Sequence, residues 1–417
     1  MKVGIIGSGG REHAICQSIK KSSKVEKIYC FPGNAGTSEL AENVEIDFSD
    51  FNKIKEFSIS NKINLIIVGP EKPLVDGIVD FFKDTEIHIF GPDKIASQLE
   101  GSKIFTKKIC EKYRIPTAKF GVFKSLSEAA TFLDKTQFPL VVKADGLASG
   151  KGVYICENKS SANIAIKEIF NGKFGVAKNI LIEEFLDGEE MSYFIISDGK
   201  EVKSFETAQD HKRVLEGDKG DNTGGMGAYS PSRLMNQILE EKILTKIIKP
   251  TINALRMMGS NYRGFLYAGL MIVNGEPYLI EYNVRMGDPE CQTILPKLKT
   301  DLLEIFLNLK PLTLHSESLP SLAILRNLSF HPGGRAKLLL LPNYISLLNQ
   351  CLKSGPGASQ RLALVSLWSL AANCHKAKVE LAKHGLMKTL EEVACCSENT
   401  DGDNLAKTVS VIVRKIQ

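Results

Sequence analysis

The chain has 417 residues, 43% of them hydrophobic and 24% charged, with a formal net charge of +5. That is a globular composition with room for about two to four domains, and no apolar run reaches the ~18 residues of a membrane-spanning helix. The charge is uneven: residues 311–417 carry 12 Lys+Arg against 7 Asp+Glu, while residues 1–310 hold 41 of each. A surplus of this size reads as a solvated helical surface, not a nucleic-acid patch. The nine cysteines form no Cys-x-x-Cys pair, which suits free thiols in a reducing cytoplasm.

The opening residues Lys2–Gly7 read as a folded strand, not as a targeting leader. The turn that follows, Gly7-Ser-Gly-Gly-Arg-Glu-His13, opens a helix, and such a helix start attracts anions through its open N–H groups. It departs from the dinucleotide fingerprint: the third glycine falls at Glu12, and no acid ends the next strand, Lys27–Phe31. With Arg11 adding positive charge, a monophosphate or ribose phosphate fits better than NAD. Gly69-Pro-Glu71 and Gly91-Pro-Asp93 stand at further strand ends, where α/β crevices bind ligands. Lys103, in Leu99-Glu-Gly-Ser-Lys103, is placed to reach nucleotide phosphates from the next domain.

The most informative stretch is Pro139–Gly152. It sets Lys143 in an apolar strand and follows it with Gly146, Gly150, Lys151 and Gly152. A buried lysine needs an anionic partner, and a glycine loop lets backbone N–H groups close on phosphate oxygens. This is not a P-loop, because Val153 stands where a metal-holding hydroxyl belongs. Ile180–Glu190 reads as a strand and turn that offers backbone groups to a base, with Glu190 accepting ribose hydroxyls. Asp210-His-Lys-Arg213 and Asn222–Gly227 combine cations with loop N–H groups, as a phosphorylated substrate requires. In the strand Pro277–Tyr282 and its end, Glu281 and Asn283 share one face. Their oxygens suit Mg²⁺ beside phosphate oxygens and water. Arg285 follows as a fork of donors for a phosphate.

Up to about residue 309 this is α/β patterning, and 28 of the 34 glycines lie before residue 311. Beyond it strands vanish. Apolar residues take helical spacing through Leu319–Phe330, Ala336–Leu352, Ser359–Ala372 and Lys376–Val393. Leu325–Leu328 echoes Leu367–Leu370 at an offset of 42 residues, as Ile345 and Leu348 echo Met387 and Leu390. That period lies within the roughly 40–47 residues of HEAT and armadillo repeats.

The segments GSGGREHA (7–14), GPEKPL (69–74), LEGSK (99–103), KADGLASGKGV (143–153), EEFLDGEE (183–190), QDHKR (209–213), NTGGMGAYSP (222–231), GFLYAGLM (264–271) and EYNVRMGDPE (281–290) resemble, in this order, the glycinamide ribonucleotide synthetases, ATP-grasp ligases of purine synthesis. The resemblance implies an α/β fold: an amino-terminal parallel-sheet domain over residues 1–102, then a two-lobed ATP-grasp domain over 103–309 with a mobile lobe at about 120–190. It implies ligation of glycine to 5-phosphoribosylamine through a glycyl phosphate, with ATP as substrate and Mg²⁺ or Mn²⁺ as cofactor. On this reading Lys103, Lys143, Gly150, Lys151 and Gly152 hold ATP phosphates, Glu183, Glu184, Phe185 and Leu186 meet adenine, and Glu190 meets ribose. Glu281 and Asn283 carry the metal. Gly9, Gly10, Arg11, Asp210, Lys212, Gly225 and Arg285 meet the other substrates, Asp210 and Arg285 acting in catalysis. The family continues into a small α+β carboxy-terminal domain. Here residues 310–417 resemble an armadillo-type, rotatin-like fragment instead, so the chain reads as two pieces joined, with reduced turnover expected. The alternative is an armadillo-type module for a protein partner carrying an inactive ATP-grasp portion. Neither reading involves nucleic acid or a membrane.

Overall fold

The computed structural model describes residues 1–147, 152–175, 177–211, 213–216, 219–223 and 225–308, and from there 327, 329–330, 332–339, 344–353, 358–373 and 386–395. The chain divides into two compact units, Met1–Pro311 and Leu312–Gln417. No helix among the described residues is long and apolar enough to cross a membrane.

The first unit begins with β1 (Lys2–Gly7), α1 (Gly10–Lys20), β2 (Lys27–Pro32), α2 (Ala35–Ser38), β3 (Glu42–Asn43), α3 (Phe51–Ser60), β4 (Leu65–Val68), α4 (Glu71–Asp76), α5 (Ile78–Phe81) and β5 (His88–Phe90). The strands form one parallel sheet in the order β3-β2-β1-β4-β5. Alternation sends Val3, Ile5, Leu65 and Ile67 to one core and Ile6, Ile66 and Val68 to another. Burial on both faces is what a parallel sheet needs. The strand order reverses between β1 and β4, which opens a crevice at their carboxyl ends.

Two helices lead out of this domain. Asp93 caps α6 (Lys94–Gly101) by accepting from Ala96 N at 2.8 Å, and Ser102 caps α7 (Lys103–Tyr113) by accepting from Phe105 N at 3.1 Å. Extended backbone at Ser102 separates them and starts a fresh helix at Lys103. Then follow β6 (Phe120–Phe123), α8 (Leu126–Leu133), β7 (Leu140–Ala144), β8 (Val153–Cys156), α9 (Lys159–Phe170) and β9 (Ile180–Glu184), whose antiparallel sheet runs β6-β9-β7-β8. Leu140, Val142, Ile180 and Ile182 pack with Ala129, Ala162, Ile166 and Ile169 from the two helices into a core of their own. A lobe with a separate core can move as a body.

The rest of the unit is β10 (Glu189–Asp198), β11 (Val202–Asp210), β12 (Arg213–Leu215), β13 (Lys219–Asn222), β14 (Ala228–Tyr229), α10 (Gln237–Ile243), α11 (Lys249–Met257), β15 (Arg263–Val273), β16 (Glu276–Asn283), α12 (Glu290–Ile294) and α13 (Leu302–Asn308). Its main sheet is antiparallel, ordered β14-β11-β10-β15-β16.

The second unit shows α14 (Pro332–Leu338), α15 (Tyr344–Lys353), α16 (Ala358–Asn373) and α17 (Leu386–Cys395). Leu348, Leu352, Leu364, Leu367, Leu370, Leu386 and Leu390 share its core. The expected helix Ala336–Leu352 is two helices. Most of the expected helix at Leu319–Phe330 and the first half of that at Lys376–Val393 lie outside the described residues, as does Leu325–Leu328 apart from Asn327.

Candidate active site

The two antiparallel sheets of the first unit enclose a cavity of about 450 Å³, lined on one side by Val141, Lys143 and Glu183–Leu186 and on the other by Glu190, Asp210, Met271 and Leu279. A second cavity of about 110 Å³ is lined by Lys103, Lys107, Glu281, Asn283, Arg285 and others. Glu183 and Ile280 belong to the walls of both.

Lys143 is only 4% exposed, and its ammonium donates to Glu183 Oε2 at 3.0 Å. The partner follows from register: β7 runs antiparallel to β9, with Lys143 opposite Leu181 and Val141 opposite Glu183. Lys103 donates to Gly146 O at 2.9 Å. Burial pulls its pKa below the ordinary lysine range, while Glu281 works the other way. Asp145 accepts from Ser102 Oγ at 3.1 Å and from Ile104 N at 3.2 Å, so it ties the start of the glycine loop to the amino end of α7. Gly152 closes the far side of that loop, its carbonyl accepting from Ala144 N at 2.8 Å. Gly150 and Lys151 lie outside the described residues.

Glu281 and Asn283 both line the second cavity, as their spacing requires. A register shift next to Gly269 explains the rest of the strand: Glu281 pairs with Gly269 and Leu279 with Leu270, leaving Ile280 as an extra residue. The bulge changes the phase, so Leu279 and Tyr282, three apart, enter the same core, and Glu281 and Asn283 border the second cavity. Gly269 makes room for this. A Cβ there would lie 3.2 Å from Glu281 Cγ. Gly269→Val is therefore expected to displace Glu281 and lower stability by about 1–3 kcal/mol through overpacking, read by thermal unfolding. Among the described residues no three His, Cys, Asp or Glu side chains gather as a metal site. The pair offers one carboxylate and one amide oxygen, a set that hard Mg²⁺ completes with phosphate oxygens and water.

Arg285 does not stand open. It donates to Glu100 Oε1 at 2.6 Å, to Glu71 Oε2 at 3.3 Å and to Met286 O at 3.3 Å. Glu100 also accepts from Val284 N at 2.7 Å, which fixes the chain just beyond Asn283. One guanidinium serves two carboxylates, and the deeper one bears the cost: burial pushes Glu100 up to about 7 despite Arg285. Glu71 is held below its ordinary value; burial opposes this, and Arg285 overcomes it. A carboxyl raised from 4.5 to about 7 in the folded chain binds more protons folded than unfolded between those pH values. Stability then falls as pH rises through that window. Glu100→Gln is expected to flatten this fall by on the order of 2 kcal/mol between pH 5 and 8, read by denaturant unfolding at each pH.

The amino-terminal turn carries an acid of its own. Gly9 N donates to Glu12 Oε2 at 2.6 Å, and Arg11 Nε donates to Glu12 Oε1 at 2.7 Å. Arg11 Nη1 also bonds Met286 O at 3.2 Å, and the residue is 7% exposed. Glu12 thus takes the Gly9 N–H and the Arg11 Nε–H at this helix start. Gly69 permits it, since a Cβ there would come within 2.0 Å of Glu12 Oε1. Gly10 is exposed and lies beside Gln292 and Asp288.

Glu190 and Asp210 line the large cavity, and both also border a small one beside Glu281. Gly225 sits against Asp210 and Pro289, which brings the Asn222–Gly227 segment to the EYNVRMGDPE segment. Lys212 lies outside the described residues. Glu184 turns its side chain to Lys119, accepting from Lys119 N at 2.9 Å, while Phe185 and Leu186 line the cavity.

Family models match this chain without a break up to residue 291: phosphoribosylglycinamide synthetase, N domain, over residues 1–100, and its ATP-grasp (A) domain over 101–291. The chain belongs to the phosphoribosylglycinamide synthetase family. It is 48% identical over 304 residues to the phosphoribosylamine–glycine ligase of Mesorhizobium japonicum, covering 73% of this chain and 72% of that one. It is 49% identical over 312 residues to the ligase of Pasteurella multocida, covering 74% and 73%. A crystal structure of the Thermotoga maritima phosphoribosylamine–glycine ligase superposes with a TM-score of 0.62 at 35% identity, covering 71% of this chain and 72% of that chain. The α/β fold and the ATP-grasp architecture stand on these matches; they do not extend to an armadillo identity for the tail.

Within the family frame, two site residues were not read from sequence. Lys107 bonds the same Glu183 oxygen as Lys143, at 3.2 Å. Its signal was available: Lys103 and Lys107 stand four apart, on one face of α7. Glu100 gave no local signal, because its partners lie 184 and 185 residues away.

Proposed function

We propose that this chain is an ATP-dependent carbon–nitrogen ligase that joins glycine to 5-phosphoribosylamine through a glycyl phosphate, yielding glycinamide ribonucleotide, ADP and phosphate. The observation that carries the proposal is the cavity pair that sets Lys143 and Lys103 beside Glu281 and Asn283 with Glu183 on the common wall.

Lys103 and Lys143 hold the ATP phosphates. Adenine lies along Glu183–Leu186. Supporting this, Glu183 Oε1 is buried with no partner among the described residues, an acceptor suited to an exocyclic amine. Glu190 takes the ribose hydroxyls. Glu281 and Asn283 hold Mg²⁺ or Mn²⁺, which supplies charge neutralisation at the transferring phosphoryl group. The carboxylate of glycine attacks the γ-phosphorus, ADP leaves, and the amine of phosphoribosylamine displaces phosphate from the acyl carbon. This chemistry asks for positioning and charge more than for a proton-transfer group. Arg285 acts through its bonds to Glu71 and Glu100, and Asp210 with Gly225 and Gly10 borders the acceptor side.

The test is phosphate release from ATP with Mg²⁺. Release that requires both glycine and phosphoribosylamine supports the proposal. Release indifferent to glycine contradicts it.

For residues 310–417 we retain an armadillo-like helical module able to meet a protein partner. Its support is the 42-residue offset that puts Leu348 and Leu390 in one core.

A further inference from the structure

We propose that Lys107 is a positioning residue for nucleotide binding: by sharing Glu183 it leaves Lys143 with charge and donors for phosphate. The inference rests on the ATP reading above and adds a residue to it.

Three charged side chains meet here almost out of water. Lys107, Glu183 and Lys143 have side chains only 3%, 4% and 5% exposed. Both ammoniums bond the same oxygen, Glu183 Oε2, at 3.2 and 3.0 Å. Two cations on one carboxylate leave a buried excess of one positive charge. A buried charge that its neighbours do not neutralise is costly and is relieved by an anionic ligand. Burial already draws Lys107 below the ordinary lysine range, with Glu183 opposing.

Lys107 can hold this place because its other donors are satisfied. It bonds Thr117 Oγ1 at 2.7 Å and Ala118 O at 3.3 Å, and lies 5.5 Å from the centre of the Phe120 ring. Thr117 Oγ1 passes the chain on to Leu279 O at 2.6 Å, and Leu279 N donates to Pro116 O at 2.8 Å. A continuous hydrogen-bonded path therefore runs from β16, which carries Glu281 and Asn283, through Thr117 and Lys107 to Glu183 on β9 and Lys143 on β7. Ammonium groups have three donors each. Lys107 spends its three on the scaffold, whereas Lys143 lines the large cavity. Without Lys107, Glu183 and Lys143 become a matched pair, and the excess charge of the trio is gone.

The experiment compares the full chain with Lys107→Met and with Lys107→Met combined with Glu183→Gln, measuring ATP binding by calorimetry and KM for ATP and for glycine. Lys107→Met is expected to weaken ATP by roughly tenfold or more, the size of one charge-assisted hydrogen bond, while KM for glycine stays at the parent value. Adding Glu183→Gln removes the negative charge that now neutralises Lys143 and keeps a side-chain oxygen as acceptor for adenine, so ATP binding recovers relative to Lys107→Met alone. A filler role would not produce that recovery. The inference is overturned if Lys107→Met binds ATP as the parent does, if glycine KM moves in step with ATP KM, or if the double variant shows no recovery. Should Lys107→Met fail to fold, Lys107→Gln, which keeps a donor toward Thr117 and removes the charge, carries the same comparison. Failure of the parent chain to bind ATP would remove the ATP reading itself; parent binding with an unaffected variant removes only the role of Lys107.

Discussion

Lys143→Met is expected to lower kcat/KM for ATP by roughly a hundredfold or more, the scale of losing one aimed donor at a developing charge. The side chain is buried in β7 and its ammonium reaches Glu183, so the substitution removes charge from the cavity wall without exposing apolar surface. Methionine fills a similar volume. The buried carboxylate keeps Lys107 as partner, so no orphaned charge remains to unfold the lobe. Thermal unfolding of the variant close to the parent, with ATP turnover lost, separates this from a folding defect. Loss of both together would mean that Lys143 acts chiefly as a structural partner of Glu183.

Glu281→Gln is expected to act through the metal. It exchanges an anionic oxygen for a neutral one at the edge of the second cavity, beside the shorter-ranged amide of Asn283. Hard divalent cations favour carboxylate oxygens. Turnover should fall by roughly a hundredfold, and the Mg²⁺ concentration giving half-maximal rate should rise. The measurement is a Mg²⁺ titration at saturating ATP. An unchanged Mg²⁺ requirement would place the metal elsewhere.

Much of the scaffold was legible because its signals are local. Lys2–Gly7 was read with the boundaries it has, and a strand was read from Ile180 onward, since apolar runs between turn residues specify strands with little help from elsewhere. The Glu281–Asn283 pair was legible for the same reason, as strand alternation is a two-residue rule. The bulge at Ile280 was not, because it is a property of pairing with β15. Pairing partners distant in sequence also hid Glu100, which meets Val284 and Arg285 only after folding. At the amino terminus the local rule was incomplete. A glycine turn before a helix does gather an anion, but Glu12, read as a departure from the fingerprint, is that anion. In the second unit apolar spacing announced helices but not that Pro332–Leu338 and Tyr344–Lys353 are separate elements.

A structure of the chain with Mg²⁺ and a non-hydrolysable ATP analogue tests the central claim most directly. The account predicts triphosphate oxygens on Lys143 and Lys103 and a metal held by Glu281 and Asn283 within the same closed cleft. A nucleotide bound away from these four side chains, or a metal with neither oxygen as a ligand, would contradict it.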